Sequence, residues 1–327
     1  MVSCQPLTQC SALGFENSIM SLAYISHHDC QLHDMGVHHP EQPARLSAIN
    51  DRLLASGLDM ALHHYNAALV SREQLEAAHD VAYIEQILAT TPAAGLVWLD
   101  DDTAMNKYSL NAALHAAGAV VQGVDLVMQD KAKNVFCGVR PPGHHAERGR
   151  AMGFCFFNNV AVAAYHALDA YGLERVAIVD FDVHHGNGTQ NIVAGDERIL
   201  FCSTFQHPFY PNSGVDCTAE NIINTPLPAG ANGVAFRQAV EQFWLPRLAS
   251  FAPQLILISA GFDAHQADDM GGLNLVDSDY AWVTRRLCEQ AQRSAQGRIV
   301  SALEGGYELH ALARSVEAHL KAFLGDQ

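Results

Sequence analysis

The chain has 327 residues, 49% of them hydrophobic, enough to bury a sizeable core, and no linker, repeat or low-complexity tract divides it. Its formal net charge is −16, from 35 acids against 19 bases, which speaks against a nucleic-acid partner and favours cationic ones. Eight cysteines without a CxxC pair, no apolar run of membrane length and no basic-then-apolar leader predict a reducing, cytoplasmic setting, with neither membrane span nor signal peptide.

In chain order, residues 1–19 read as an irregular N-terminal extension, with Met20 as an alternative start and one domain expected over 20–327. Apolar runs predict strands at "LAYIS" (22–26), "NVFCGV" (134–139), "RVAIVDFD" (175–182), "RILFCST" (198–204), "QLILISAG" (254–261) and "RIVSALEG" (298–305). Helices are expected over 109–129, with Ser109 as N-cap, and over 158–172, ending on Gly172. A third, over 236–251, carries Pro246 and should break there. Alternating strands and helices predict an α/β fold, a parallel sheet with helices on both faces. In such sheets ligands sit beyond the carboxyl ends of the strands.

The chemistry-bearing residues fall at those ends, in "RPPGHHAERG" (140–149), "DFDVHHGNG" (180–188), "SAGFDAHQADD" (259–269) and "ALEGGYEL" (302–309). Asp180, Asp182 and His184 stand two residues apart, a spacing that puts all three on one face of a strand. Crowded carboxylates are costly unless a cation lies between them. A divalent ion held by Asp182, His184 and Asp263 answers that cost, and three protein ligands with an open position make a catalytic kind of site. The set is harder than most zinc sites, so Fe²⁺ and Co²⁺ also suit it. Asp180 then serves as acceptor for a histidine. His144 and His145 supply proton carriers, and Tyr307, after two glycines, supplies a donor to a developing oxyanion. The reaction type is metal-assisted hydrolysis of an amide or ester.

These segments resemble the metal-dependent histone deacetylase superfamily, in particular its class II and bacterial class II-like members, within the arginase/deacetylase fold. The match spans most of residues 20–320 and includes "HHPEQPARL" (38–46). The resemblance implies Zn²⁺ on Asp182, His184 and Asp263, tandem histidines at His144 and His145 with Asp180 behind His144, and a carbonyl-polarising Tyr307. It also implies an acyl-lysine tunnel walled by Gly153 and Phe154 on one side and by Phe209 or Tyr210 on the other. Arg45 matches a basic residue near the acetate exit, Asp102 a rim residue that grips substrate backbone, and Met270 another rim position. A structural K⁺ is implied on the carbonyls of Asp180, Asp182, His184 and Thr204, with the side chains of Asp180 and Ser203.

Asn187 stands where class I members carry aspartate. An amide stabilises an imidazolium less than a carboxylate does, so His145 should be less basic than His144. Tyr307 is the tyrosine of active members, and Gly186 replaces the further metal-strand aspartate of two-manganese arginases, so one metal is expected. Asp269 replaces a usual proline, and Met270 stands where a polyamine-specific member has glutamate. The expected substrate is an acetylated lysine in a peptide or protein. An acetylated polyamine is the alternative, and a non-catalytic acyl-lysine binder is a third reading.

Overall fold

The computed structural model describes residues 22–325, so the extension over 1–19 and Met20 lie outside the described residues. Among the described residues, ten strands occur in chain order. They are β1 (Leu22–Ser26), β2 (Leu62–Asn66), β3 (Val97–Trp98), β4 (Ala104–Met105) and β5 (Asn134–Cys137). The remainder are β6 (Val176–Asp180), β7 (Ile199–Gln206), β8 (Ile222–Leu227), β9 (Leu255–Ala260) and β10 (Ile299–Leu303). Eight form one sheet in the order β2-β1-β5-β10-β9-β6-β7-β8, with every pairing parallel. β3 and β4 form a separate antiparallel ribbon. Strands β6, β7, β9 and β10 are buried along their whole length, as parallel strands covered on both faces must be.

All six expected strands form. β2 and β8 were not legible, because both are sheet edges and their sequences, "LHHYN" and "IINTPL", alternate with polar residues. Pro226 is tolerated in β8 because an edge strand has one unpaired side.

The helix Asn159–Tyr171 is capped by the Asn158 side chain and stops at Gly172, whose φ of 62° is left-handed. Helix Ser109–Met128 departs from expectation at its start: Ser109 is its first helical residue, and the Ser109 hydroxyl instead accepts from Asn106 N–H at 2.8 Å. By length and composition this helix is apolar enough to cross a membrane, contrary to the expectation from sequence, but 72% of its apolar window is buried inside the fold. Before Pro246 the third expected helix widens into a π segment over Val240–Trp244, then resumes as Leu245–Phe251. The wider turn fits a proline that offers no N–H to the ladder.

Gly118 sits where helix Ser109–Met128 crosses the chain after β2; a Cβ there would stand 2.1 Å from Ala68 O and 2.6 Å from Val70 N. Mid-helix glycine normally costs stability against alanine by roughly 0.5–1 kcal/mol. Here the sign reverses: Gly118→Ala should destabilise by about 1–3 kcal/mol through overpacking against backbone. A denaturant midpoint that rises in this variant would contradict that contact.

Candidate active site

The loops after four adjacent strands, β5, β10, β9 and β6, converge at the carboxyl edge of the sheet. β6 ends at Asp180, so Asp182 and His184 lie beyond the strand, not within it as the two-residue spacing suggests. A turn gathers them instead: Asp180 Oδ1 accepts from Asp182 N–H at 3.1 Å and Asp182 Oδ1 from His184 N–H at 2.9 Å. Asp263 arrives from the loop after β9, its Oδ1 accepting from Val183 N–H at 2.9 Å.

Ligand atoms of Asp182, His184 and Asp263 lie within 4.8 Å of one another, all three residues buried. His184 Nδ1 stands 3.0 Å from Asp182 Oδ1 and 3.2 Å from Asp263 Oδ2, yet Asp263 Oδ2 has no well-formed hydrogen bond. Two glycines make room for the carboxylates. A Cβ on Gly305 would be 2.0 Å from Asp263 Oδ2 and 2.6 Å from Asp182 Oδ2, and one on Gly261 would be 2.0 Å from Asp182 Oδ2. Burial and the neighbouring Asp182 charge push the Asp263 carboxyl up to about 7. A divalent cation fits this donor set and its crowding.

His144 Nδ1 meets Asp180 Oδ2 at 3.0 Å. Burial opposes charge on His144, but Asp182 and Asp180 outweigh it and hold the ring well above the usual histidine range. His145 goes the other way. Burial first, then His144 and His184, keep it well below that range. Asn187 Nδ2 donates to Glu147 Oε1 at 2.8 Å, so its Oδ1 faces His145 Nδ1 at 2.7 Å. The His145 proton therefore sits on Nδ1, and Nε2 keeps its lone pair. His145 is the less basic of the pair, as expected, but the cause is burial and the two neighbouring histidines; the hydrogen bond to Asn187 acts in the opposite direction.

A cavity of about 360 Å³ opens above this cluster, lined by Asp102, His145, Gly153, Phe154, His184, Phe209, Tyr210, Asp269, Met270 and Tyr307. Phe209 stacks on His184 at 5.4 Å, and Tyr210 meets His145 edge-on at 5.3 Å. Both aromatics therefore line the slot, where the sequence left a choice between them. Phe154 faces Tyr307 edge-on at 6.0 Å, and it and Gly153 both have positive φ, 70° and 57°. Burial keeps the Tyr307 phenol well above its usual range, so the hydroxyl retains its proton. Asp102 reaches the rim while its Oδ1 accepts from Gly153 N–H at 3.2 Å.

Arg45 does not line the cavity; it is fully buried behind Tyr307, 4.9 Å from that ring, donating to Gly306 O at 2.6 Å and Glu41 Oε1 at 3.0 Å, a position compatible with the exit-side place expected of it. Arg140 binds the same Glu41 carboxylate through two nitrogens, a buried network that braces the loop leading to His144.

Two further acids hold backbone around the site. Glu304 Oε2 accepts from Gly143 N–H at 2.6 Å and His144 N–H at 3.1 Å, holding the histidine loop. Asp268 Oδ2 accepts from Tyr307 N–H at 2.6 Å and Glu308 N–H at 2.9 Å, and its Oδ1 from Met270 N–H at 3.0 Å. Glu304 had a readable signal, an acid closing the apolar run "IVSAL". Asp268 had none for holding the tyrosine loop, because two of its three partners, Tyr307 and Glu308, lie 39 and 40 residues away.

Fold and site together define a parallel-sheet protein with a buried candidate metal triad at the foot of an aromatic slot. A model of the histone deacetylase domain matches residues 39–323, and the chain belongs to that family. An uncharacterized Synechocystis protein, slr0245, is 41% identical over 89% of this chain and 96% of its own length. Mouse polyamine deacetylase HDAC10 is 37% identical over 88% of this chain, which spans only 45% of that protein. Among solved structures, the HDA15 HD domain superposes with a TM-score of 0.88 at 33% identity, covering 94% of this chain and 90% of that one. The protein is a hydrolase acting on amides.

Proposed function

We propose that this hydrolase is a zinc-dependent lysine deacetylase, which removes acetyl groups from lysine side chains of peptides or proteins. The observation that carries the reading is the slot itself. Phe154, Phe209 and Tyr210 offer apolar walls above the triad, while the acids Asp102 and Asp269 belong to the same lining. A lysine side chain threaded through it would bury uncharged methylenes at about 0.8 kcal/mol each.

Zn²⁺ on Asp182, His184 and Asp263, with Fe²⁺ or Co²⁺ as substitutes, supplies Lewis acidity that acidifies water and polarises a carbonyl. His145, which lines the cavity with a free Nε2, takes a proton from the attacking water. Tyr307 donates its hydroxyl hydrogen to the carbonyl oxygen as charge builds there. The C–N bond then breaks and a histidine returns the proton to the leaving amine, giving acetate and free lysine. His144, anchored on Asp180, sets the position of that pair. A K⁺ near β6 belongs to this reading: the Ser203 hydroxyl is buried without a hydrogen-bond partner, and the Asp180 side chain and the carbonyls of Asp180, Asp182, His184 and Thr204 complete the proposed set. A cytoplasmic location also remains a proposal, resting on the cysteine pattern.

Acetylpolyamine hydrolysis is the second reading, and Asp269 favours it. Asp268 is occupied by three backbone N–H groups, whereas Asp269 is exposed and lines the mouth beside Met270. An acid there would pair with the amine of a polyamine. Against it, an exposed carboxylate is screened by solvent and contributes little, and Met270 adds no charge. Acetyl-lysine peptides should therefore exceed N⁸-acetylspermidine in kcat/KM by at least about tenfold, or roughly 1.4 kcal/mol. Met270→Glu should move the ratio toward polyamines. Equal or reversed values for the unaltered enzyme would hand the assignment to the second reading.

A further inference from the structure

Beyond the active site, one other group of side chains among the described residues has metal-ligand composition: His27, Asp29 and His115, whose ligand atoms lie within 4.8 Å of one another. His27 follows β1, Asp29 opens the short helix Asp29–Leu32, and His115 projects from helix Ser109–Met128. We propose that these three residues form a second divalent transition-metal site, of the zinc class, that fastens the segment after β1 to helix Ser109–Met128.

The donor set is two imidazoles and one carboxylate, suited to Zn²⁺ and its neighbours in softness. Asp29 Oδ1 stands 3.8 Å from His27 Nδ1, and Asp29 Oδ2 stands 3.7 Å from His115 Nε2. Those gaps exceed a hydrogen bond. Donors bonded at about 2.0–2.2 Å to a tetrahedral ion are separated by roughly 3.3–3.6 Å, so small side-chain shifts close the set.

His115 is already oriented for the task. Its Nδ1 lies 2.9 Å from Ala67 O, which can only accept, so Nδ1 carries the hydrogen and Nε2 is left toward Asp29. His115 is also well sheltered, its side chain 12% exposed. His27 Nδ1 accepts from Asp29 N–H at 3.1 Å, a bond that ligation through this nitrogen exchanges for one to the metal. The rings now stack with centroids 3.5 Å apart and planes at 15°, and binding one ion requires them to splay.

A polar cavity of about 450 Å³ reaches one of the three residues, His27, and is lined also by His28 and Gln31. The segment being fastened also matters to the first site. Cys30 O and His33 O accept from Arg140 Nη1 at 2.8 and 3.0 Å, and Arg140 leads into the histidine loop.

The test is metal counting by elemental analysis on full-length protein equilibrated with tens of micromolar free zinc. The unaltered chain should hold two equivalents, and His115→Asn and Asp29→Asn one each while deacetylating as before. Asp263→Ala should also hold one, retained in the second site and without activity. Zinc added beyond the first equivalent should shift the ring protons of His27 and His115 and raise Tm by several degrees in the unaltered chain but not in His115→Asn. One equivalent in the unaltered chain, or two in both His115→Asn and Asp29→Asn, would overturn the second site. The Asp263→Ala arm separates that failure from failure of the catalytic assignment.

Discussion

Asp263→Ala should abolish tight binding of a divalent metal at the candidate active site and, with it, nearly all turnover. Asp263 supplies one of three converging donors, and its Oδ2 is otherwise buried without a hydrogen bond. Removing a residue that merely supports a ligand costs about 10–100-fold in metal affinity; removing a ligand outright should cost more. The remaining pair, Asp182 and His184, leaves an open and weak site. The measurement is metal content at submicromolar free zinc, where only the tight site fills, beside kcat/KM on an acetyl-lysine peptide. Asp263→Asn serves as the shape-conserving control. Its amide keeps the fold but replaces the anionic donor, so it should lose metal as well. Full occupancy at low free zinc in both variants would mean that the triad does not hold the catalytic ion.

Tyr307→Phe should lower kcat by about 10²–10³ with unchanged metal content, the usual loss for one oxyanion donor. The side chain is well placed for this. The backbone N–H groups of Tyr307 and Glu308 both donate to Asp268, and Arg45 lies behind the ring. With burial holding the phenol well above its usual range, the hydroxyl remains a donor through neutral pH. Phenylalanine fills the same volume, so stability should change little and a fall in kcat would belong to the hydroxyl. An unchanged kcat would assign Tyr307 to packing against Phe154.

Much of the centre was legible before any coordinates. Parallel strands buried on both faces are continuous apolar runs, and each run of this kind, from "LAYIS" to "RIVSALEG", became a strand of the sheet. Because the active residues follow those strands closely, their convergence was implied by the fold class. The edges were not legible. "LHHYN" and "IINTPL" carry polar residues on their open sides, and nothing local separates such a stretch from a loop.

By itself, the sequence determined the α/β class, the four converging segments and the identity of the triad, because these depend on short-range pattern and on residue chemistry. Only the tertiary structure decided how Asp182 and His184 are gathered, in a turn beyond β6 and not along a strand face. It also decided that Phe209 and Tyr210 both line the slot, that Arg45 is buried behind Tyr307, and that Asp268 is committed to backbone while Asp269 meets solvent. Neighbouring positions such as Asp268 and Asp269 are chemically identical in sequence. Their roles part because hydrogen-bond partners are set by distance in space, across 39 residues of chain in the case of Asp268 and Tyr307.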